Sequence, residues 1–294
     1  MKKYFLFIAV AFISCTVPLP AIVLQTDFGL KDGAVAEMKG VAISVEPALQ
    51  IFDITHEIPS YNIWEAAYRL NQAAPLWPKG TVFVSVVDPG VGTERKSVVL
   101  KTISGHYFVS PDNGTLTLVA KNLGIAEIRE IDESINRRKG SENSNTFFGR
   151  DVYVYTAARL AANKISFEKV GKLLPKQVVN INYQEAILDN EIIKGNIPVL
   201  DIQFGNVWTN IPDSLIYKLG VKYGDSLQVE ILNKDSSVFK NIVPLVKTFG
   251  TVADGSSLAY FNSLMNFSLA INQGSFSNKY NVYSGPEWTI RISK

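Results

Sequence analysis

Three polar clusters stand where apolar runs of the sequence end. They are Asp27-Phe28-Gly29, Thr55-His56-Glu57 and Asp88-Pro89-Gly90-Val91-Gly92. Carboxylates accept hydrogen bonds, and glycines let a ligand approach the backbone closely. Ligands of open α/β sheets bind outside the carboxyl ends of strands, so the clusters predict a small-molecule site. The same residues could instead cap helices or complete turns, and the pattern alone leaves both interpretations open.

The composition restricts the kinds of site that these clusters can form. The 294 residues include 29 Lys and Arg against 27 Asp and Glu, and this near-neutral balance disfavours a nucleic-acid partner. The only cysteine is Cys15, which excludes an internal disulfide and a thiolate metal cage. Because His56 and His106 are the only histidines, a three-histidine zinc site is also impossible.

The first 20 residues have the features of an export leader. Two lysines precede an uncharged apolar run from Tyr4 to Ser14. Cys15 follows with a small residue before it, an arrangement similar to a bacterial lipoprotein cleavage box. Two nearby prolines argue against a continuous spanning helix. We expect an exported protein anchored by a lipid on Cys15, in the periplasm or at the cell surface. Plain secretion and a retained anchor are the alternatives.

Residues 21–185 alternate between short apolar runs and stretches with helical spacing. The near-continuous apolar character of the runs predicts buried strands in an N-terminal α/β domain with a largely parallel sheet. The polar stretch from Glu133 to Asn145 is predicted to be an exposed loop. The predicted strands are Ala21 to Thr26, Gln50 to Ile54, Thr81 to Val87, and a hairpin of Ser97 to Thr102 with His106 to Ser110; the predicted helices are Val35 to Val45, Ile63 to Ala74 and Arg150 to Ala162.

Residues 190–294 have a different character. Short β-rich runs dominate, turn residues separate them, and few windows have helical spacing. This pattern predicts a second domain, a small C-terminal β-barrel. The boundary is expected between about Lys176 and Asn190.

Six short motifs occur in one order along the chain. They are Thr26-Asp27-Phe28-Gly29, Asp53-Ile54-Thr55-His56-Glu57-Ile58, Val87-Asp88-Pro89-Gly90-Val91-Gly92 followed by Arg95, Pro111-Asp112-Asn113-Gly114, Thr146-Phe147-Phe148-Gly149-Arg150-Asp151, and Phe204-Gly205-Asn206. With these motifs the sequence resembles the S-adenosylmethionine (SAM) hydroxide adenosyltransferase family, relatives of the SAM-dependent fluorinase and chlorinase. The resemblance extends from about Ala21 to Ile292. It implies an α/β domain joined to a β-barrel, and a homotrimer with each active site between two subunits.

The chemistry that the resemblance implies is displacement at the ribose C5′ of SAM by activated water, giving adenosine and L-methionine. The sulfonium already makes methionine a good leaving group, so no metal or other cofactor is expected. The protein has to supply a desolvated, positioned nucleophile. In the family an Asp, an Arg and a His activate the water. Asp88 and Arg95 match the first two, and Phe148 stands at the position of the histidine.

Phe148 leaves two explanations open. In the first, Asp88 and Arg95 suffice for catalysis and the enzyme loses only general acid–base help, which contributes roughly 10²- to 10⁴-fold to the rate. Alternatively, the site has changed its nucleophile or lost catalysis. Halogenases have an aromatic residue near this position, but a halide beside Asp88 would be repelled by roughly 1 kcal/mol in water and roughly 4 kcal/mol at an effective dielectric of 20. The first alternative to a hydrolase is a non-catalytic lipoprotein that binds adenosine or SAM. A halogenase and a structural exported trimer are less favoured.

The resemblance also implies which residues bind SAM. Asp27 matches the acid that holds the ribose hydroxyls, since two carboxylate oxygens suit a vicinal diol. Asp201 matches the acid at the methionine ammonium. Leu264 stands where halogenases have an arginine, which leaves recognition of the methionine carboxylate open. The other matches are aromatic, amide or hydroxyl residues: Tyr61, Phe147, Phe148, Phe204, Asn206 and Ser263, with a looser match at Phe249.

Four further polar residues are expected to lie outside the catalytic set. His56 lies within a family motif but has no expected catalytic role. His106 is expected at the surface of the predicted hairpin. Arg150 and Asp151 are expected to form a pair at the start of a helix.

Overall fold

The computed structural model describes residues 19–294. The predicted leader, including Cys15, lies outside these residues apart from its last two positions. Within residues 19–294, no helix has both the length and the apolar character needed to cross a membrane.

A seven-stranded sheet is the centre of the N-terminal part. Its strands are β1 (Ile22–Thr26), β2 (Ile51–Thr55), β3 (Val82–Val86), β4 (Ser97–Thr102), β5 (Tyr107–Pro111), β6 (Ile125–Glu130) and β7 (Leu173–Leu174). They are arranged in the order β2-β1-β3-β5-β4-β6-β7, with parallel pairing from β2 to β5 and antiparallel pairing from β5 to β7. Five of the seven strands therefore run in the same direction, and the predicted α/β class with a largely parallel sheet is confirmed.

Helices cover both faces of this sheet because its central strands are apolar on both sides. Ile22 and Leu24 of β1 face the core formed with α1 and α5, whereas Val23 faces the core formed with α2 and α3. Such two-sided burial explains why the strand runs lack alternating polar residues. The helices are α1 (Ala34–Val45), α2 (Ile63–Ala73), α3 (Thr117–Leu123), α4 (Glu133–Asn136) and α5 (Val154–Ala161).

Most predicted elements of this part appear within one or two residues of their predicted ends. The helix predicted from Arg150 differs at its start, because Gly149–Tyr153 forms a wider π-helical turn before α5 begins. The polar stretch from Glu133 is only partly an exposed loop. It begins with α4, and Asn136 and Ser141 are buried.

The C-terminal part consists of two antiparallel sheets. Its elements are β8 (Ile187–Asp189), β9 (Ile192–Ile197), β10 (Val199–Asp201), β11 (Asn206–Pro212), α6 (Asp213–Tyr217), β12 (Ser226–Asn233), β13 (Ser236–Pro244), β14 (Ser257–Phe261), β15 (Asn266–Ile271), α7 (Phe276–Tyr280) and β16 (Gly285–Ser293). The strand orders are β10-β11-β15-β14 and β13-β12-β16-β9-β8. Both sheets contribute side chains to one hydrophobic core, as expected for the predicted β-rich C-terminal region.

Candidate active site

The carboxyl ends of β1 and β3 open into a cavity of about 240 Å³, called the N-terminal cavity below. Asp27 follows β1 directly, and Asp88 lies two residues beyond β3. Because the two strands are parallel neighbours, both carboxylates reach the same edge of the sheet. The cavity brings together five of the predicted site residues: Asp27, Tyr61, Asp88, Phe147 and Phe148.

Asp88 and Arg95 form a buried ion pair beside this cavity. Arg95 Nε lies 3.0 Å from both carboxylate oxygens of Asp88, and Arg95 Nη2 lies 2.6 Å from Asp88 Oδ2. The Asp88 side chain is 5% exposed and the Arg95 side chain 11%. Burial alone would lower the pKa of Arg95, but its hydrogen bonds to Asp88 together with the surrounding negative charges, those of Asp88 and Glu133 among them, raise it. Arg95 thus holds the carboxylate in one orientation with a fixed positive charge.

Two hydroxyl groups lie behind the ion pair. Ser97 Oγ accepts a hydrogen bond from Arg95 Nη1 at 3.1 Å, and Tyr153 Oη lies 3.2 Å from Ser97 Oγ and 3.4 Å from Asp88 Oδ2. Burial and the charge of Asp88 raise the pKa of Tyr153 well above its usual value. Neither residue was predicted from the sequence. Tyr153 lies 65 residues from Asp88 and 56 from Ser97 along the chain, and Ser97 lies two residues after Arg95, just beyond the motif that carries it.

Phe148 fills the position of the family histidine and is 7% exposed. The guanidinium carbon of Arg95 lies 4.8 Å from the ring centre of Phe148, and that of Arg137 lies 4.7 Å from it. Arg137 comes from the segment predicted as an exposed loop, and it is held by Glu133 and by the carbonyl of Ser144. Nothing in the sequence pattern indicated a role for Arg137. The Phe148 ring therefore lies between the Arg95 and Arg137 side chains and makes a cation–π contact with each of them. It carries no group that could transfer a proton.

Asp27 and Tyr61 form the open side of the N-terminal cavity. Asp27 Oδ2 accepts a hydrogen bond of 2.8 Å from the Tyr61 backbone N–H. Tyr61 has a φ of 68°, which is unusual for an aromatic residue, and its side chain is 72% exposed. A left-handed tyrosine costs roughly 1–3 kcal/mol. The contact with Asp27 holds that conformation and leaves Asp27 Oδ1 available to a ligand.

The two histidines lie inside the protein, away from the cavity. His56 Nδ1 bonds Thr26 Oγ1 at 2.8 Å, and its Nε2 lies 3.1 Å from Asp53, which agrees with the predicted structural role. The surface position predicted for His106 is wrong. Its ring is 5% exposed and bonds Ser104 Oγ and the Trp77 carbonyl, because residues before β3 cover the hairpin.

Arg150 and Asp151 form the predicted pair at the start of a helix. Arg150 Nη2 lies 2.7 Å from Asp151 Oδ2, and Arg138 Nε lies 2.9 Å from Asp151 Oδ1. Asp151 is fully buried. Burial alone would raise the pKa of Asp151, but the hydrogen bonds from the two arginines outweigh burial and lower it. The pair connects α5 to the segment that carries Arg137, which places it behind the site.

The remaining predicted residues line a second, larger cavity of about 770 Å³ in the C-terminal part, called the C-terminal cavity below. Asn206 Nδ2 donates to Asp201 Oδ2 at 3.1 Å, so the amide and the acid are fixed relative to each other. Phe204 is 65% exposed. The predicted residues in this cavity are Asp201, Phe204, Asn206, Phe249 and Ser263.

Two further aromatic residues of the C-terminal cavity were not predicted. Trp208 Nε1 donates to Tyr260 Oη at 3.2 Å, and burial raises the pKa of Tyr260. Trp208 lies two residues after Asn206 on β11, so the period of two in a strand could have indicated it. Leu264 does not line this cavity and packs instead against Tyr68 and its apolar neighbours.

The two cavities have no lining residue in common. The structure therefore brings the predicted site residues together as two separate sets, one on each part of the chain. Within residues 19–294, no three His, Cys, Asp or Glu side chains are grouped so as to hold a metal ion.

Comparison with known proteins shows that both sets of residues lie in regions that match one protein family. Residues 22–171 match the SAM hydroxide adenosyltransferase N-terminal domain, and residues 195–289 match the C-terminal domain of the same family. The chain belongs to the SAM hydroxide adenosyltransferase family. The first match contains every lining residue of the N-terminal cavity, and the second contains every lining residue of the C-terminal cavity.

The relatives of this chain include proteins named fluorinase and proteins named (R)-S-adenosyl-L-methionine hydrolase. A fluorinase of Nocardia brasiliensis is 30% identical over 93% of this chain and 97% of its own. An (R)-S-adenosyl-L-methionine hydrolase of Methanocaldococcus jannaschii is 37% identical over 74% of this chain and 75% of its own. A crystal structure of an uncharacterized conserved protein from Thermotoga maritima is 37% identical, with a TM-score of 0.85 over 93% of this chain and 100% of that chain.

Proposed function

We propose that this protein hydrolyses S-adenosyl-L-methionine at ribose C5′ and releases adenosine and L-methionine. The observation that carries the proposal is the buried Asp88–Arg95 pair beside the N-terminal cavity, where a carboxylate is held ready to accept a proton. The relatives named (R)-S-adenosyl-L-methionine hydrolase support the same reaction.

In the proposed mechanism, water attacks C5′ in line with the bond between C5′ and the sulfonium sulfur. A C–O bond forms as the C–S bond breaks, and the electron pair of the C–S bond goes to the sulfur of methionine. Asp88 accepts the proton of the water, and Arg95 fixes the orientation of that carboxylate. Phe147 and Phe148 form an apolar wall that limits competing water, so the reacting oxygen is poorly solvated.

A halide nucleophile is disfavoured by the charge of the N-terminal cavity. Its lining residues include the carboxylates Asp27 and Asp88, and Arg95 beside the cavity offsets the charge of Asp88, which leaves Asp27 as the net negative charge. A halide about 4 Å from the Asp27 carboxylate would be repelled by roughly 1–4 kcal/mol, depending on the local dielectric. Neutral water is not subject to this repulsion. The charges therefore favour hydrolysis over the reaction implied by the name of the fluorinase relatives.

The complete binding site is proposed to form between two copies of the chain in a homotrimer. The N-terminal cavity supplies the reacting groups and Asp27, which binds the ribose. The C-terminal cavity supplies Asp201, which binds the methionine ammonium, and Asn206, which binds the adenine. The separation of these sets within one chain supports sharing between subunits. With export and a lipid on Cys15, the enzyme would act outside the cytoplasm. Its substrate there is scavenged SAM or a related 5′-substituted adenosine.

A second candidate function is non-catalytic binding of adenosine or SAM. Phe148 favours it, because this position has no proton-transferring group and is closed by Arg95 and Arg137. The two functions differ in product formation and agree in ligand binding. A binder would show a rise in melting temperature with SAM but would release nothing.

Chromatography after incubation with SAM separates these functions. Residues 16–294 are incubated with SAM in the presence and absence of chloride, and adenosine and 5′-chloroadenosine are quantified. We expect adenosine in both conditions and no 5′-chloroadenosine. Stabilisation by SAM without any product would reject hydrolysis in favour of the binding protein, and 5′-chloroadenosine would establish a halogenase.

A further inference from the structure

The Asp88–Arg95 pair is closed into a ring by the two hydroxyl groups behind it. The ring runs from Arg95 Nη1 to Ser97 Oγ, from Ser97 Oγ to Tyr153 Oη, and from Tyr153 Oη to Asp88 Oδ2, at 3.1, 3.2 and 3.4 Å. Arg95 itself closes the ring on Asp88. Ser97 is 5% exposed and Tyr153 is fully buried, so the ring is shielded from solvent.

The chemistry of the four groups fixes the direction of every hydrogen bond in this ring. A guanidinium has no acceptor, so Ser97 Oγ must accept from Arg95. The proton of Ser97 is then free to be donated to Tyr153 Oη, and the phenol proton of Tyr153 goes to Asp88. The raised pKa of Tyr153 keeps that proton in place. The chain of donors that starts at Arg95 Nη1 therefore ends on the Asp88 carboxylate.

The donors are distributed unequally between the two oxygens of Asp88. Oδ2 accepts hydrogen bonds from Arg95 Nε at 3.0 Å, Arg95 Nη2 at 2.6 Å and Tyr153 Oη at 3.4 Å. Among residues 19–294, Oδ1 accepts only from Arg95 Nε, at 3.0 Å. Each carboxylate oxygen has two lone pairs. Oδ2 is fully used, and the remaining acceptor capacity lies on Oδ1.

We propose that Tyr153 is a positioning residue for the hydrolysis: backed by Ser97, its hydroxyl occupies Oδ2 of Asp88 and leaves Oδ1 as the oxygen that takes the proton from water. This inference rests on the proposed function. The Tyr153 hydroxyl is a third donor to the Asp88 carboxylate, after Nε and Nη2 of Arg95. The position of the family histidine supplies no such group, because Phe148 occupies it. Tyr153 acts through Asp88 and does not touch the substrate.

The test compares two substitutions that each remove one buried phenol oxygen. Tyr153→Phe deletes the hydroxyl that meets Asp88. Tyr68→Phe is the matched control, because Tyr68 is 6% exposed and packs in a separate apolar cluster with Ala67, Leu118 and Val199. We expect Tyr153→Phe to lower kcat about 10-fold with KM for SAM changed less than twofold. Tyr68→Phe should leave both constants unchanged.

The split between kcat and KM separates positioning from a general structural effect. A merely structural loss would lower the melting temperature and change KM together with kcat, whereas loss of the Tyr153 hydroxyl from Asp88 should lower kcat alone. If kcat of Tyr153→Phe equals that of the parent and of Tyr68→Phe, the inference is overturned.

A readout without turnover keeps this inference separable from the proposed function. The Nε–H resonance of Arg95, assigned through Arg95→Lys in arginine-labelled protein, reports the ring directly. We expect faster solvent exchange of this proton in Tyr153→Phe and parental exchange in Tyr68→Phe. If the parent protein releases no adenosine, hydrolysis is rejected, and an unchanged Arg95 resonance in Tyr153→Phe then overturns the ring as well.

Discussion

Replacing Phe148 by histidine restores the family residue at the one position where the predicted catalytic set departs from the family pattern. If the imidazole were merely missing from a competent site, Phe148→His would raise kcat. The structure predicts the opposite, because the Phe148 ring is buried under Arg95 and Arg137. We expect a less stable protein with no gain in kcat.

The size of the loss follows from these contacts. The Arg95 and Arg137 side chains are 11% and 12% exposed, so both cation–π contacts lie in largely desolvated surroundings. Each such contact is worth about 1–2 kcal/mol. A buried imidazole without a placed partner costs about 1–3 kcal/mol more. Together these terms lower the free energy of unfolding by roughly 3 kcal/mol or more, and the melting temperature by roughly 6 °C or more.

The assay combines thermal unfolding with SAM turnover for Phe148→His and for Phe147→His. Phe147 is the matched control for stability, because it is only half-buried and has a single guanidinium, that of Arg150, at 4.8 Å. Phe147→His should lower the free energy of unfolding by about 1 kcal/mol. Higher kcat in Phe148→His, with a melting temperature equal to that of the parent, would refute the reasoning. That result would mean that the two arginines leave room for an imidazole.

Three further outcomes are expected. Asp88→Asn should abolish adenosine release while the SAM dissociation constant, measured by calorimetry, changes little; unchanged release would remove Asp88 from the mechanism. Asp88→Asn chains co-expressed with Asp201→Asn chains should recover activity that neither variant has alone. In a mixed oligomer, some sites combine the intact Asp88 of one chain with the intact Asp201 of another. No recovery would place the whole site within one chain. Asp151→Asn should lower the melting temperature more at pH 7 than at pH 3. Because the pKa of Asp151 is lowered in the folded state, its charge contributes stability above pH 3.8, the unfolded pKa, and this contribution is lost as the pH falls through the folded pKa. Equal losses of melting temperature at both pH values would contradict this role of the Asp151 charge.

The sequence was sufficient for the fold because the parallel strands are apolar on both faces and end in polar clusters. β1 and β3 were both recognisable in this way, and Asp27 and Asp88 follow from them. β11 is not recognisable as a strand from its sequence, because asparagines and a proline interrupt its apolar pattern. Trp208, which lines the C-terminal cavity from β11, was missed with it.

The surroundings of Asp88 could not be predicted for a different reason. Tyr153 lies 65 residues from Asp88 along the chain and 56 from Ser97, and only the packing of α5 against the sheet brings them together. Arg137 lies in a polar segment with the composition of a solvated loop. Its position over Phe148 depends on tertiary contacts that composition does not encode.

The origin of the new oxygen atom tests the central claim most directly. The protein is incubated with SAM in H₂¹⁸O, and the adenosine is analysed by mass spectrometry, with Asp88→Asn as the control. Water attack at C5′ predicts adenosine that is two mass units heavier, with the label on the 5′ oxygen, and none from the variant. Adenosine without the label, or labelled adenosine formed equally fast by Asp88→Asn, would contradict hydrolysis by water that Asp88 activates.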